Sequence, residues 1–587
     1  MLGRIDSIEN NIVKVKLEVN IYDMDSIINK NIVFKGNNKI IGEITDIKDN
    51  LLYVSIIGEI IDNKFIFGDI NKPSFKDDIY LITKEELDLI FTSYTRGEKI
   101  ILGSSYIYPE YQIKLDLSNF FSNHFAILGN SGSGKSYSIA HIIQSLFKEA
   151  NDLPYRANLF IFDAYGEYQN AFSHIGDNSV NINYKVYTTD LEQNEHEVLH
   201  LPFWLLSVDD IALLLDVNDK RQIPIIEKAL KLVGLFSKKE EEIIEYKNDI
   251  LARSLLDIIF NGKSAVEIRT RLLSILTKFN TSTLNLDTML VEPGWSRSLR
   301  QCLYIDKDGK IANIELVTSF FQKFVKDELD LNLPNGSYRY TIEEYYLALE
   351  FALISEGIYN SDSVFDYANI LKIRLNYLIN SSYSRYFAYP NYISKNNFIK
   401  LLLTTNDNKK AQVINFNINY VDDRFAKKIV KIYSKLLFDY ATSLKQRAKL
   451  PFHIVLEEAH RYVQNDNDID ILGYNIFERI TKEGRKYGVL LGVISQRPSE
   501  LSETVLSQSS NFLIFKMFYP KDLSFVSEIV PSLGNTLSSK LKTLYPGVCV
   551  AFGTAFKMPI LIKMDKPNPE PSSSSTDILS SWYLTKS

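Results

Sequence analysis

The chain has little of what holds small secreted proteins together. Only two cysteines, Cys302 and Cys549, occur in 587 residues. They support neither a disulfide framework nor a zinc site, and the composition fits a reducing cytoplasm. Long apolar runs are also missing. No uncharged stretch approaches the ~18 residues of a membrane span, and the opening "MLGRIDSIENNIVK" lacks the apolar centre of a secretory signal. These absences argue against membrane-anchored transporters and membrane-spanning pumps, and no membrane partner is expected. An excess of positive charge is absent too. Lys and Arg number 66 against 72 Asp and Glu, a formal charge of −6. That balance does not advertise a nucleic-acid binder, although local lysines can still line an internal channel. What is present is an ordinary globular composition, 45% apolar, in a chain long enough for several domains of ~100–200 residues each.

Residues 1–95 are short, β-branched and partly alternating: "NNIVKVKLEVN", "KNIVFKG", "NKIIGEITDI", "NLLYVSIIGEII", "DDIYLI". Asn, Gly and Asp turns separate them, the pattern of a small antiparallel barrel or sandwich. Residues 96–205 alternate strand and helix texture. From 206 to 410 apolar residues recur at three- and four-residue intervals, as in "IPIIEKALKLVGLF" and "TIEEYYLALEFALISEG", predicting an inserted helical domain. Strand texture returns over 411–565 with "KAQVINFNIN", "FHIVLEEAH", "GVLLGVISQ" and "SNFLIFKMF". The last stretch, 566–587, reads as a Pro/Ser tail. Two α/β parts around a helical insertion are most simply one parallel sheet, which binds ligands at the carboxyl ends of its strands.

The sharpest local signal is "HFAILGNSGSGKSYSIAHIIQSLFKEA". A strand-like "FAIL" runs into Gly129, Asn130, Ser131, Gly132, Ser133, Gly134, Lys135, Ser136 and Tyr137, and Ile139, Ile142, Ile143, Leu146 and Phe147 then follow at helical spacing. Gly129-x-x-x-x-Gly134-Lys135-Ser136 is the P-loop spacing. Its backbone N–H groups form a nest for phosphate oxygens, and the following helix aims its positive end at them. Lys135 supplies a mobile charge to the β- and γ-phosphates, and the Ser136 hydroxyl can ligate Mg²⁺. ATP and Mg²⁺ are the expected ligands.

Phosphate chemistry at such a loop needs carboxylates for the metal and for the attacking water. "FHIVLEEAHRYV" delivers Glu457 and Glu458 to a strand end. Glu457 suits the metal role and Glu458 the water role. His460 either relays the state of the γ-phosphate or caps a turn. Gln496 ends the strand of "GVLLGVISQRP", where its amide either bonds the γ-phosphate or lytic water or satisfies nearby backbone. Arg485, in "KEGRKYG" beside Lys486, is the leading candidate for an arginine acting from a neighbouring subunit, ahead of Arg479 and Arg497. In "IFDAYGEY", Asp163 and Glu167 either tune the metal or couple to DNA, or cap a turn.

Taken in order, "GRIDSIENNIVKVKL", "HFAILGNSGSGKS", "DAYGEY", "LPFWLLSVDDIALLL", "IVLEEAHRYV", "KEGRKYGVLLGVISQRPSELSETVLSQSSNFLIF" and "LYPGVCVAFGTAFKMPILIKM" resemble the HerA family of FtsK-related DNA-translocating ATPases over nearly the whole chain. The resemblance implies a RecA-like α/β core with an N-terminal β-barrel and an inserted helical bundle. It also implies a homohexameric ring with double-stranded DNA through its pore, and composite ATP sites toward which a C-terminal segment reaches. Gly553 and Thr554 join the expected ATP contacts on that ground. Two positions depart from the pattern. Asn123 stands where the family often carries a basic residue before the histidine, and Tyr165 where it often carries histidine. Such proteins act with a partner, a nuclease in DNA end resection or a nuclease or sirtuin-like NADase in anti-phage defence. No nuclease or NAD motif is visible here, so that chemistry is expected in a partner. An ATP-gated scaffold that activates an effector without translocation is the competing reading. Lys427, Lys428 and "QNDNDIDILGYN" are candidates for DNA contact, with a solvated helix face as the alternative for the two lysines.

Overall fold

The computed structural model describes residues 2–9, 11–19, 26–68, 71–91, 99–148, 153–176, 182–326, 338–355, 362–529, 539–572 and 582. The domain boundary expected at 95, and most of the tail after 572, lie outside these residues. The chain divides into two compact units. One comprises Met1–Glu197, Ile399–Asp466 and Asn475–Ser587; the other comprises Val198–Phe398 with Asn467–Tyr474.

The amino-terminal strands of the first unit, Gly3–Glu9 through Asp78–Leu81, pair antiparallel in one seven-stranded sheet. Its longest strand, Leu51–Ile61, alternates without a break, and Leu52, Val54, Ile56 and Ile60 point inward. The Leu2 N–H donates to the Ile79 carbonyl at 2.7 Å, joining the two ends of the sheet into a small barrel.

The second sheet of this unit carries the site. Seven strands run parallel in the spatial order Tyr184–Thr188, Val413–Asn417, Leu159–Asp163, Phe452–Leu456, Val489–Ser495, Phe125–Leu128 and Asn511–Phe515. The central strands are largely apolar and buried, as in parallel sheets covered on both faces, whereas Tyr184–Thr188 is only partly buried. The sheet then reverses: Val548–Gly553 pairs antiparallel with Asn511–Phe515, followed by Ile560–Met564, Lys99–Ser105 and Gln112–Asp116. The sequence keeps 184–188 and 413–417 about 225 positions apart, yet they are neighbours. The helical insertion leaves the sheet between them.

The helical unit is built on Ile342–Ser355, which packs against Ile223–Leu232 and is buried along most of its length. Phe236, Phe279 and Phe351 interlock beside it. Glu350 on this helix is buried and pairs with Lys278 and with Lys372, the latter at 2.9 Å. A buried charge is tolerated only when paired in this way. Among the described residues no helix is long and apolar enough to cross a membrane.

Candidate functional site

The P-loop strand Phe125–Leu128 is fully buried and hands the chain to Gly129, where backbone direction must change within a few residues. Gly129, Gly132 and Gly134 have φ of +154°, +70° and +115°, values that side-chain-bearing residues rarely adopt. A Cβ on Gly129 would lie 2.6 Å from Phe515 Cβ and 2.8 Å from Ser133 Oγ. The helix Lys135–Lys148 begins directly after the last glycine. Lys135 is buried, and its Nζ donates to the Asn130 carbonyl at 3.0 Å. Burial pushes its pKa down, opposed by Glu458, Glu457 and Glu167.

The neighbouring strand ends supply the acids. Phe452–Leu456 lies two strands from the P-loop and delivers Glu457 and Glu458 to the same carboxyl end. Ser136 Oγ donates to Glu457 Oε1 at 3.1 Å, and the Tyr168 hydroxyl donates to the same oxygen at 3.1 Å. Burial first, then Asp163, Glu167 and Glu458, hold the Glu457 pKa well above the carboxylate range. Glu458 is also pushed up by burial, against the opposing pull of Lys135 and Arg461. Its φ of +46° places it in the left-handed region, a strained conformation for a non-glycine residue and one that recurs at functional sites.

Between these strands runs Val489–Ser495, whose end carries Gln496; the Gln496 backbone N–H opposes the upward push of burial on the Glu458 pKa. His460 Nδ1 lies 3.2 Å from Glu458 Oε2 and 3.3 Å from Ser495 Oγ, so one proton on that nitrogen can be offered to either. Burial lowers the His460 pKa, leaving a neutral ring at neutral pH. The Ser495 carbonyl in turn accepts from the Gly129 N–H at 3.2 Å. A hydrogen-bonded path therefore joins the P-loop backbone, the glutamine strand and the acidic turn. Asp163 is fully engaged elsewhere. It accepts from the Glu167 and Tyr168 N–H groups at 3.0 Å each and from Asn415 Nδ2 at 3.1 Å, which makes it the brace of the acidic loop. Glu167 is raised by burial and by Asp163, against the opposing pull of the nearby Ser136 hydroxyl.

These groups fit a magnesium-bound triphosphate. The donors are hard oxygens, the kind Mg²⁺ takes. Glu457 Oε2 and Ser133 Oγ are sealed from solvent without a hydrogen-bond partner. Ser136 and Glu457 would hold the ion, which would neutralise charge on phosphate oxygens.

A sequence model of the helicase HerA central domain matches residues 100–437, more than half of the chain. The chain belongs to the HerA helicase family. It is 25% identical over 90% of its length to a DNA double-strand break repair helicase HerA of Sulfolobus acidocaldarius, covering 80% of that protein. It is 24% identical over 87% of its length to the protein of the same description from Pyrococcus furiosus, covering 76% of it. Among solved structures, VirB4 of Thermoanaerobacter pseudethanolicus aligns over 81% of this chain and 98% of its own, at 13% identity and a TM-score of 0.41. The chain is a P-loop ATPase of RecA-like α/β fold.

Some residues expected at the nucleotide of this HerA-family chain lie away from its own P-loop. Gly553 pairs with Asn511, and Asn511 with Phe125, so Gly553 and Thr554 lie at the amino end of the P-loop strand, opposite the loop. Thr554 Oγ1 instead lies 3.3 Å from both the Asn119 carbonyl and Asn511 Oδ1, either of which can accept its one proton, and accepts from Asn123 Nδ2 at 3.3 Å. The cause is strand direction: Val548–Gly553 runs antiparallel, and its first end meets the P-loop. There the Gly547 N–H donates to the Ser133 carbonyl at 2.9 Å. Arg485 is exposed on the last turn of helix Ile476–Tyr487, before its strand begins, and its charge acts on His124 at the amino end. Arg479 reaches Glu483 at 3.7 Å, and Arg497 lies over the Tyr519 ring. Lys427 pairs with Asp466 at 3.2 Å. Tyr137 is tied to Glu570 at 2.9 Å, and Gln144 to the Pro569 carbonyl at 2.8 Å, so a carboxy-terminal strap runs along the P-loop helix of the same chain. Tyr168, Gly547 and Arg461 were not singled out by the sequence.

Proposed function

We propose that the protein is an ATP-hydrolysing DNA translocase that works as a homohexameric ring around double-stranded DNA, together with a nuclease or sirtuin-like NADase partner. The observation that carries this reading is the meeting of the P-loop, the Ser136–Glu457 pair and Glu458 at one end of one sheet. In this reading the loop and Lys135 bind the triphosphate and Glu457 holds the metal. Glu458 accepts the proton of the attacking water, and Gln496 senses the γ-phosphate through the turn it shares with Glu458. Arg485 stands at the far end of the sheet from its own P-loop, which supports a site completed by a second copy. The resemblance to helicases named for double-strand break repair supports DNA as the track. Its grip is then mainly on phosphates and falls with salt.

The setting is DNA end processing or anti-phage defence, with effector chemistry in the partner chain. The test is DNA-stimulated phosphate release together with triplex displacement. Both activities in the wild type, and neither in Lys135→Ala, support the motor. ATP-dependent activation of the partner without displacement would replace it by a scaffold ring.

A further inference from the structure

We propose that Arg461 is a further catalytic residue of this site, an arginine supplied in cis whose inner guanidinium nitrogen meets the γ-phosphoryl group as it transfers. The inference rests on the ATPase reading above.

Arg461 is the third residue after Glu458 in "EEAHRYV" and closes the single 3₁₀ turn Ala459–Arg461. Because Glu458 is left-handed, the chain folds back immediately after the strand, and the Arg461 N–H donates to the Glu458 carbonyl at 2.9 Å. The side chain is then fixed by three elements. Nη2 pairs with Asp423, the first residue of helix Asp423–Ser443. The guanidinium carbon lies 5.6 Å from the centroid of Tyr165, in the acidic loop, and 5.7 Å from that of Tyr462. Its side chain is 14% exposed, whereas Asp423 is 78% exposed, so the ion pair marks the outer edge. Nη1 is closed off from solvent and has no hydrogen-bond partner.

A surface ion pair does not account for that nitrogen. An arginine held only by Asp423 would leave its other donors to water. A guanidinium cannot shed its proton to escape burial, so this buried, unpartnered N–H is a donor that a phosphate oxygen would satisfy. Two cations act on Glu458, Lys135 and Arg461. Lys135 belongs to the phosphate nest. Arg461 is therefore the arginine whose charge reaches the group that handles the water, while Arg485 lies at the other end of the sheet and Arg479 and Arg497 sit against Glu483 and Tyr519.

In the step itself the water oxygen bonds to the γ-phosphorus as the bond from that phosphorus to the β,γ-bridging oxygen breaks. The electron pair of the broken bond stays on ADP, and one water proton passes to Glu458. Arg461 forms and breaks no bond. It offsets charge on the transferring group, and a preorganised donor acts most strongly where water is excluded.

The experiment compares the full-length assembled protein with Arg461→Ala and Arg461→Lys. Three quantities are read: steady-state ATP hydrolysis, affinity for a non-hydrolysable ATP analogue, and affinity for Mg·ADP with aluminium fluoride. Arg461→Ala is expected to lower kcat and aluminium-fluoride affinity by a common factor of about 10²–10³, with analogue affinity held within about threefold and partial recovery in Arg461→Lys. Equal loss of both affinities overturns the proposal in favour of ground-state binding or a structural role. Unchanged turnover overturns it in favour of a surface pair. If Arg461→Ala fails to fold, Asp423→Ala, which removes only the outer anchor, is read the same way with a smaller expected effect. A wild type inert toward ATP would remove the ATPase reading itself. An active wild type with an indifferent variant removes only the role of Arg461.

Discussion

His124 offers a direct test of the packing that aligns the P-loop strand with the glutamine strand. The residue stands just before Phe125, buried, and its Nδ1 accepts from the Leu491 N–H at 2.9 Å. Burial, with help from Arg485 and His453, pushes its pKa from 6.5 down to about 4. For a base whose folded value is depressed, the unfolded chain takes the proton first. Stability is then intact above about pH 6.5 and is lost as pH falls toward 4. One pK unit corresponds to ~1.4 kcal/mol, so the full loss from this group is about 3 kcal/mol, of which about 2 kcal/mol is gone at pH 5.0. His124→Asn keeps an acceptor for Leu491 and carries no charge in acid. Unfolding of wild type and variant, followed in denaturant at pH 7.5 and pH 5.0, is expected to show the wild type losing about 2 kcal/mol more than the variant. Buried His453 and His460, present in both proteins, cancel in that difference. Equal losses in the two proteins would refute the argument, since His124 would then be charged in the folded chain or solvated.

Lys135→Ala and Glu458→Gln are expected to lower phosphate release by at least about 10²-fold, with fluorescent-nucleotide binding kept in Glu458→Gln; wild-type turnover in either would remove its assigned role. Asp163→Ala orphans two backbone N–H groups and Asn415 Nδ2. At about 1–3 kcal/mol for an unsatisfied buried donor, the thermal midpoint should fall clearly; an unchanged midpoint would show that water replaces the carboxylate. If Arg485 acts on a neighbour, Arg485→Ala is inactive in assembled protein, and mixing it with Lys135→Ala subunits restores part of the hydrolysis. No recovery from two inactive parents would count against a shared site.

Much of this site was legible because each part is a local pattern. Gly129–Ser136 needs only its spacing, and Glu457, Glu458 and Gln496 each follow an apolar run long enough to be a buried strand. The barrel was equally legible, since its short β-branched segments alternate in part and are set apart by Asn, Gly and Asp turns. What stayed hidden depends on pairing between distant segments. Nothing near Asn467–Tyr474 signals that it belongs with the helical unit, because the reason is spatial: the Tyr474 hydroxyl donates to Asp209 at 2.7 Å. Tyr168 looks like one more apolar residue of a short helix until Glu457, 289 positions away, accepts its hydroxyl.

Strand direction limits what can reach a nucleotide in one chain. Parallel strands all present their carboxyl ends to the P-loop, so a polar residue after such a strand is at the site by default, as Glu457, Glu458 and Gln496 are. Gly553, expected among the ATP contacts from the family resemblance, ends the strand Val548–Gly553. That strand is antiparallel to its neighbour, and the order inverts: its first residue, not its last, meets the loop, and Gly547 takes the contact with Ser133. Strand direction governs the arginines as well. Arg485 precedes a parallel strand and therefore stands at the amino end, whereas Arg461 follows one and stands at the carboxyl end. A cation that serves its own subunit must come from the second group. One from the first group can act on a phosphate only across a boundary between two copies.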